Sequence, residues 1–248
     1  MHRLVQLATL EWLEAHGQQD HWRHRFLRRL CARLPIGEYE NWAECQALFP
    51  HAKSAAAHAP KEEESLRDWA TILYKAAWYA WRIGNGAEAE KMAVQAMKVR
   101  KKVLVREQED TLDAMAMAAL AHTLRGRWEE AEKLEVQVME TSKTKLGADH
   151  PSTLTSMANL ASTYRNQGRW KEAEKLQVQV METRQTKLGA DHPDTLTGMD
   201  NLAYTWHGQG RHVDALDLMQ RCFRLRRQVL GPDHPYTVST LSALMEWL

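Results

Sequence analysis

A block of 42 residues recurs along this chain, and no other feature constrains its fold as tightly. GRWEEAEKLEVQVMETSKTKLGADHPSTLTSMANLASTYRNQ occupies 126–167, and 168–209 is nearly its copy, GRWKEAEKLQVQVMETRQTKLGADHPDTLTGMDNLAYTWHGQ. A third copy starts at Gly210 and breaks off at the end of the sequence, and a diverged one fits the same register over 84–125. A period in the range of about 20–50 residues predicts a stacked array, because one unit cannot bury its apolar face alone. Arrays of this kind bind partners far more often than they catalyse.

Each block reads as two helices. From Gly168, Trp170, Ala173, Leu176, Val180 and Met181 follow helical spacing, with Lys171, Glu172, Glu174 and Lys175 expected on the solvent side. Gly189 is expected to close this helix in the left-handed conformation. Asp191-His192-Pro193 then opens another, with the aspartate carboxylate expected to accept from the free N–H groups and proline seated in the first turn. The same punctuation stands at Gly147 with Asp149-His150-Pro151 and at Gly231 with Asp233-His234-Pro235. In the second helix, Met157, Leu160, Ala161 and Tyr164 form one stripe, and glycines 84, 126, 168 and 210 end successive copies. Alanines 89, 131, 173 and 215 hold one phase of the partner helix, which predicts a close helix crossing where a larger side chain overpacks.

Leu160-Ala161-x-x-Tyr164 followed by Gly168-x-Trp170-x-x-Ala173 resembles the tetratricopeptide repeat, whose usual length is 34 residues. The longer period, the connector KLGADHP and the segment TLTSMANLA resemble the repeats of the kinesin light chain group, which also occur behind an NB-ARC nucleotide-binding module in fungal intracellular receptors. The resemblance is specific over 84–248 and degenerate over 40–83. It implies an all-α, right-handed solenoid of helix-turn-helix repeats over 61–248, preceded by a short helical bundle over 1–60.

Residues 1–60 do not repeat. Leu4, Leu7, Leu10 and Leu13, widened by Val5, Ala8 and Trp12, predict an amphipathic helix. Met1-His2 resembles the end of the NB-ARC winged-helix segment, where a histidine senses the nucleotide diphosphate, yet no G-x-x-x-x-G-K-[ST] loop occurs in the chain. The segment from Leu10 to Ala55 resembles the bridge between nucleotide-binding core and repeats in fungal members. Kinesin light chains would instead carry a long heptad coiled coil, which is absent here.

In the resembled arrays the first helix of each pair lines a concave groove. With Leu160, Ala161 and Tyr164 packed inward, Thr155, Ala158, Asn159, Ser162, Arg165 and Asn166 are expected to face it. Adding one period gives Thr197, Asp200, Asn201, Tyr204, His207 and Gly208, and subtracting two gives Thr71, Tyr74, Lys75, Trp78, Trp81 and Arg82. Asn159 and Asn201 are candidates to grip a peptide backbone, each amide offering both donor and acceptor. Met117 and Ala243 break that ladder. Trp78, Trp81 and Tyr74 are candidate aromatic anchors, and Arg165 and His207 candidate receivers of an acidic group. The solvated or core reading stands beside each of these.

Lys plus Arg number 33 against 32 Asp plus Glu, which argues against nucleic acid or an anionic membrane as partner, although five arginines cluster over 21–33. Cys31, Cys45 and Cys222 have no paired spacing and read as free thiols, and with no long apolar run the expected location is the cytoplasm. His150, His192 and His234 lie a whole period apart rather than clustered as metal ligands, and no nucleophile motif occurs, so neither metal, cofactor nor enzyme activity is expected. The expected partner is a protein or peptide. Three readings remain: the sensor array of an NB-ARC-type fungal immune or incompatibility receptor, a kinesin-light-chain-like cargo or scaffold adaptor, or a structural module that self-associates through the uncapped last helix.

Overall fold

The computed structural model describes residues 3–104 and 109–248, with the side chains of residues 3–7 and 10 set aside. Met1 and His2, on which the nucleotide-sensing expectation falls, lie outside the described residues. The described residues contain twelve α-helices and no strand. They fall into two compact units, 1–126 and 127–248.

The first unit holds α1 (Arg3–Ala15), α2 (Gln19–Arg33), α3 (Trp42–Ala56), α4 (Glu63–Arg82), α5 (Gly86–Val103) and α6 (Glu109–Leu124). Packing does not pause at residue 60, because α2 and α3 are both seated on α4. Trp69 Nε1 donates to Ala55 O at 2.8 Å, and Phe49 meets Tyr79 edge-on at 5.3 Å. Lys75 Nζ donates to Cys31 O and Leu34 O, so this lysine, expected in the groove, caps the end of α2. Gly37 lies so close to Tyr79 that a Cβ there would stand 2.9 Å from the tyrosine Cα.

The second unit holds α7 (Trp128–Leu146), α8 (Pro151–Asn166), α9 (Trp170–Leu188), α10 (Pro193–Gly208), α11 (His212–Val229) and α12 (Pro235–Trp247), each packed on its chain neighbours from α7·α8 onward. We call α8, α10 and α12 A helices and α7, α9 and α11 B helices. Ala89, Ala131, Ala173 and Ala215 are all fully buried, as the close crossing requires.

Two expectations about the connectors need correction. Gly147 and Gly189 do have positive φ, 96° and 100°, but with ψ near 160° they occupy the region essentially reserved for glycine rather than the left-handed helical one. The N-cap is the histidine, not the aspartate: Nδ1 of His150, His192 and His234 accepts from the backbone N–H two residues on, at 3.1–3.2 Å. The proline that follows removes one N–H donor, and the imidazole satisfies the next. Asp149 is thereby free to pair with Lys187 of the next connector at 3.1 Å.

Candidate functional site

Glu174 was expected among the outward charges, and the structure turns it inward. Its carboxylate accepts from Trp206 Nε1 (2.7 Å), Gln209 Nε2 (2.9 Å) and Arg211 Nη1 (2.8 Å), fastening α9 to the turn after α10. Burial alone would raise its pKa, but the bonds from Gln209 and Trp206 and the charge of Arg211 outweigh that and hold it below the ordinary range. Glu132 does the same one period earlier with Gln167 and Arg169, and Glu90 with His122 and Arg125 in the first unit. In the second unit these bonds tie α7 and α9 to the turns after α8 and α10, so the groove-facing residues of the A helices, the A face, stand on packed helices rather than on loops.

On that face in the second unit, Arg165, Asp200, Tyr204 and His207 come together. The Arg165 guanidinium lies 5.5 Å from the Tyr204 ring centroid, and burial lowers its pKa while the nearby Asp200 charge opposes the shift. Its Nη1 is enclosed and has no hydrogen-bond partner. Burial pushes the Asp200 carboxyl up, partly countered by Arg226 and Thr240, whose Nη1 and Oγ1 reach Asp200 Oδ1 at 3.1 and 3.2 Å. His207 stacks flat on Trp247 at 4.3 Å, and Tyr204 meets the same indole edge-on at 5.2 Å. Asn159 and Asn201 are half-exposed on α8 and α10. Ser162 Oγ donates to Ala158 O of its own helix at 3.1 Å. Gly208, also expected in the groove, is where the Trp170 ring approaches the backbone, and a Cβ would stand 2.4 Å from it.

The aromatic candidates form their own group in the first unit. Trp78 and Trp81 lie 5.5 Å apart with the Arg82 guanidinium over both rings, and Arg82 also pairs with Glu38 at 3.1 Å. Trp78 Nε1 is enclosed without a hydrogen-bond partner. Tyr74 lies under Arg100 at 4.7 Å, with its hydroxyl pKa pushed up to about 12 by burial and by Asp113.

Sequence reasoning missed buried arginines near the ends of α5, α9 and α11. Arg226 reaches Asp200, Thr240 Oγ1 and Tyr236 O; Arg184 reaches Asp194 O and Thr155 Oγ1; Arg100 reaches Asp110 O. Each bridges its own helix to the start of the one that follows, and Arg184 and Arg226 extend to polar residues of the A face. The interval of 42 between Arg184 and Arg226 was the available signal. Both also fall in phase with the buried stripe, Arg184 four residues after Val180 and Arg226 four after Cys222, but their partners are known only once the neighbouring helix is placed.

Two open clefts lie away from these residues: one of about 550 Å³ at the connector edge, lined by Gly147, His150, Pro151, Arg184 and Lys187, and one of about 710 Å³ beside Trp22, Phe26 and Arg29. Among the described residues no group of three His, Cys, Asp or Glu side chains is arranged to hold a metal ion, and no helix is long and apolar enough to cross a membrane.

A sequence model of the tetratricopeptide repeat matches residues 69–110, 111–152, 153–194 and 195–236. The chain belongs to the tetratricopeptide repeat family. Its fold class is the all-α solenoid of that family, in the 42-residue form of the repeat. A nucleotide-binding leucine-rich repeat (NLR)-like protein of Hyaloscypha variabilis is 36% identical over 115 residues, which is 46% of this chain. The match spans 12% of that relative's length. Among solved structures, the kinesin light chain nearly identical TPR-like repeats of Podosopora anserina are 25% identical, with a TM-score of 0.59 over 76% of this chain and 87% of that one. A Rap protein complexed with competence and sporulation factor is 14% identical, with a TM-score of 0.60 over 84% of this chain and 60% of that one, a likeness of fold.

Proposed function

We propose that this tetratricopeptide array recognises a protein or peptide on its A-helix face, as the cytoplasmic sensor portion of an NB-ARC-type fungal immune or incompatibility receptor. The observation that carries the recognition role is the Arg165 guanidinium, whose enclosed Nη1 has no acceptor in the chain. A buried donor left unsatisfied costs about 1–3 kcal/mol, which a ligand oxygen would recover. Tyr204, His207 and Trp247 beside it offer aromatic surface of the kind that dominates binding hot spots. Asn159 and Asn201 are assigned the ligand backbone, and Ser162 the rim. In the first unit, Tyr74, Trp78 and Trp81 are assigned an aromatic contact of their own. Residues 1–60 are assigned the bridge to a nucleotide-binding module. The receptor role is supported by the NLR-like relative, and the partial span of that match is consistent with a sensor segment of a longer protein.

The similarity to kinesin light chain repeats supports a second reading, a cargo or scaffold adaptor using the same face. Selection from a diverse peptide library by the whole chain tests recognition. Peptides that bind are expected to lose about ten-fold or more in affinity with Asn159→Ala/Asn201→Ala or with Arg165→Met, each checked for folding by circular dichroism. Failure of any peptide to enrich, or enrichment indifferent to both variants, removes the A face as the recognition surface.

A further inference from the structure

The arginine cluster over 21–33 takes no part in the A face, and the structure gives it a place of its own. Helices α2 and α3 both pack on α4 and touch each other little. Leu27, Leu30 and Leu34 form the buried stripe of α2 and its end, and Cys45, Ala52 and Ala55 that of α3. Between the two helices runs the open cleft of about 710 Å³. Its α2 wall is the adjoining stripe, Trp22, Phe26, Arg29 and Arg33 at helical spacing, and α3 contributes Leu48 and His51. Trp22 and Phe26, exposed at 45% and 39%, also line a neighbouring cleft of about 510 Å³ with Leu13 and Leu27. In sequence α1 precedes this helix pair and α4 follows it, so neither end of the chain forms the cleft.

Its charge is one-sided. Arg25, Arg29 and Arg33 line the cleft, and no carboxylate does. Asp20 is the one acidic residue of α2 and pairs with Arg23 at 3.5 Å, while none of the three cleft arginines has a carboxylate within ion-pair distance among the described residues. The Arg25 guanidinium lies over the Trp22 ring at 5.0 Å, which places it at the aromatic end of the wall. Like charges four residues apart oppose one another on a helix, so an occupant that brought carboxylates would relieve a repulsion the chain leaves in place.

We propose that this cleft is a second recognition site, for an extended acidic segment of a partner protein in which carboxylates alternate with apolar side chains. Four helical residues rise about 6 Å, close to the roughly 6.6 Å between alternate side chains of an extended peptide. Successive arginines therefore match carboxylates two residues apart, each able to take one in a two-pronged bond. Phe26, Leu30 and Leu48 supply the apolar contact. That apolar lining, with a net charge of only +1 on the whole chain, favours a peptide over a nucleic-acid backbone. The apolar stripe of α2 is already buried in the protein, so the helix has none to lay on a lipid surface.

Fluorescence anisotropy of the whole chain with a labelled octapeptide alternating glutamate with leucine and phenylalanine tests this. Saturable binding is expected, at least about ten-fold tighter than that of the same peptide with glutamine for glutamate, and weakened by added salt. Serine in place of its apolar residues should also cost affinity. Arg29→Gln/Arg33→Gln should weaken binding about ten-fold or more, and both side chains are exposed, so circular dichroism should be unchanged. Arg28→Gln removes the same charge from an exposed position of α2 outside the cleft and should change affinity by less than about two-fold. Failure of the acidic peptide to bind overturns the proposal, as does binding that responds equally to Arg28→Gln. So does equal or tighter binding of an oligouridine, or of vesicles of phosphatidylcholine with phosphatidylserine, that is lost with the same double substitution. Asn159→Ala/Asn201→Ala, on the A face, should leave this binding untouched, which separates the two proposals.

Discussion

Glu135 of α7 and Gln177 of α9 occupy the same position in two nearly identical B helices. Both are buried, and both face a threonine of the following A helix, Thr163 and Thr205. Gln177 resolves the site with a neutral bond, its Oε1 accepting from Thr205 Oγ1 at 2.6 Å. Glu135 instead carries a carboxyl whose pKa burial raises to about 7, partly offset by the Thr163 hydroxyl beside it. The repeat dictates the size and polarity of the residue at this position but not its charge. At this position one of the two near copies adds a pH dependence to the stability of the second unit, and the other does not.

The largest expected effect comes from erasing that difference. Glu135 has a folded pKa of about 7 against an ordinary 4.5. Below 4.5 both the folded and unfolded states hold the proton and the group is neutral to stability; as pH rises toward 7 the folded state binds more protons, so stability falls, and above 7 the full loss is reached. That loss is about 3 kcal/mol. Glu135→Gln should raise stability by about 2–3 kcal/mol at pH 8 and by almost nothing at pH 4, as read by urea denaturation at both. The difference between the two proteins isolates Glu135, because every other ionisable residue is common to both. Equal stabilisation at both pH values would show that the carboxyl titrates alike in the folded and unfolded states.

The crossing alanines sharpen the same comparison, since they are the positions where successive copies do not differ. Ala173 is fully buried between α9 and its neighbours, and Ala173→Leu is expected to cost about 1–3 kcal/mol through overpacking, seen as a lowered Tm. An unchanged Tm would show that the crossing can open. The smallest effect belongs to the connectors. His192→Ala should cost about 1 kcal/mol by removing the acceptor for the Asp194 N–H, while His192→Asn should restore most of it. If alanine and asparagine behave alike, the imidazole is held by packing and not by its cap.

Much of the scaffold was legible before any coordinates. Glycines 84, 126, 168 and 210, the buried alanines and the stripe Met157, Leu160, Ala161 are local or periodic features, and apolar periodicity reports directly on burial. The polar interior was not legible for the same reason. Glu174 looks like a solvated residue on a helix read alone and turns inward because a neighbouring helix supplies its partners, and Arg184 and Arg226, though in phase with the buried stripe, carry charges whose partners lie on the next helix. The candidate site was legible in part. Arg165, Asp200, Tyr204 and His207 were placed on one face from their phase, but Trp247, which stacks on His207, joins them only through helix packing.

What the sequence by itself determined is the repeating unit: its length, its two helices, its glycine and His-Pro punctuation and the alanine crossing, all set by interactions within about one period. The tertiary structure alone decided which polar groups are buried and which histidine atom caps each helix. Those outcomes depend on partners a whole repeat away, where a side chain's environment is set by the helix packed against it rather than by its own neighbours in the chain.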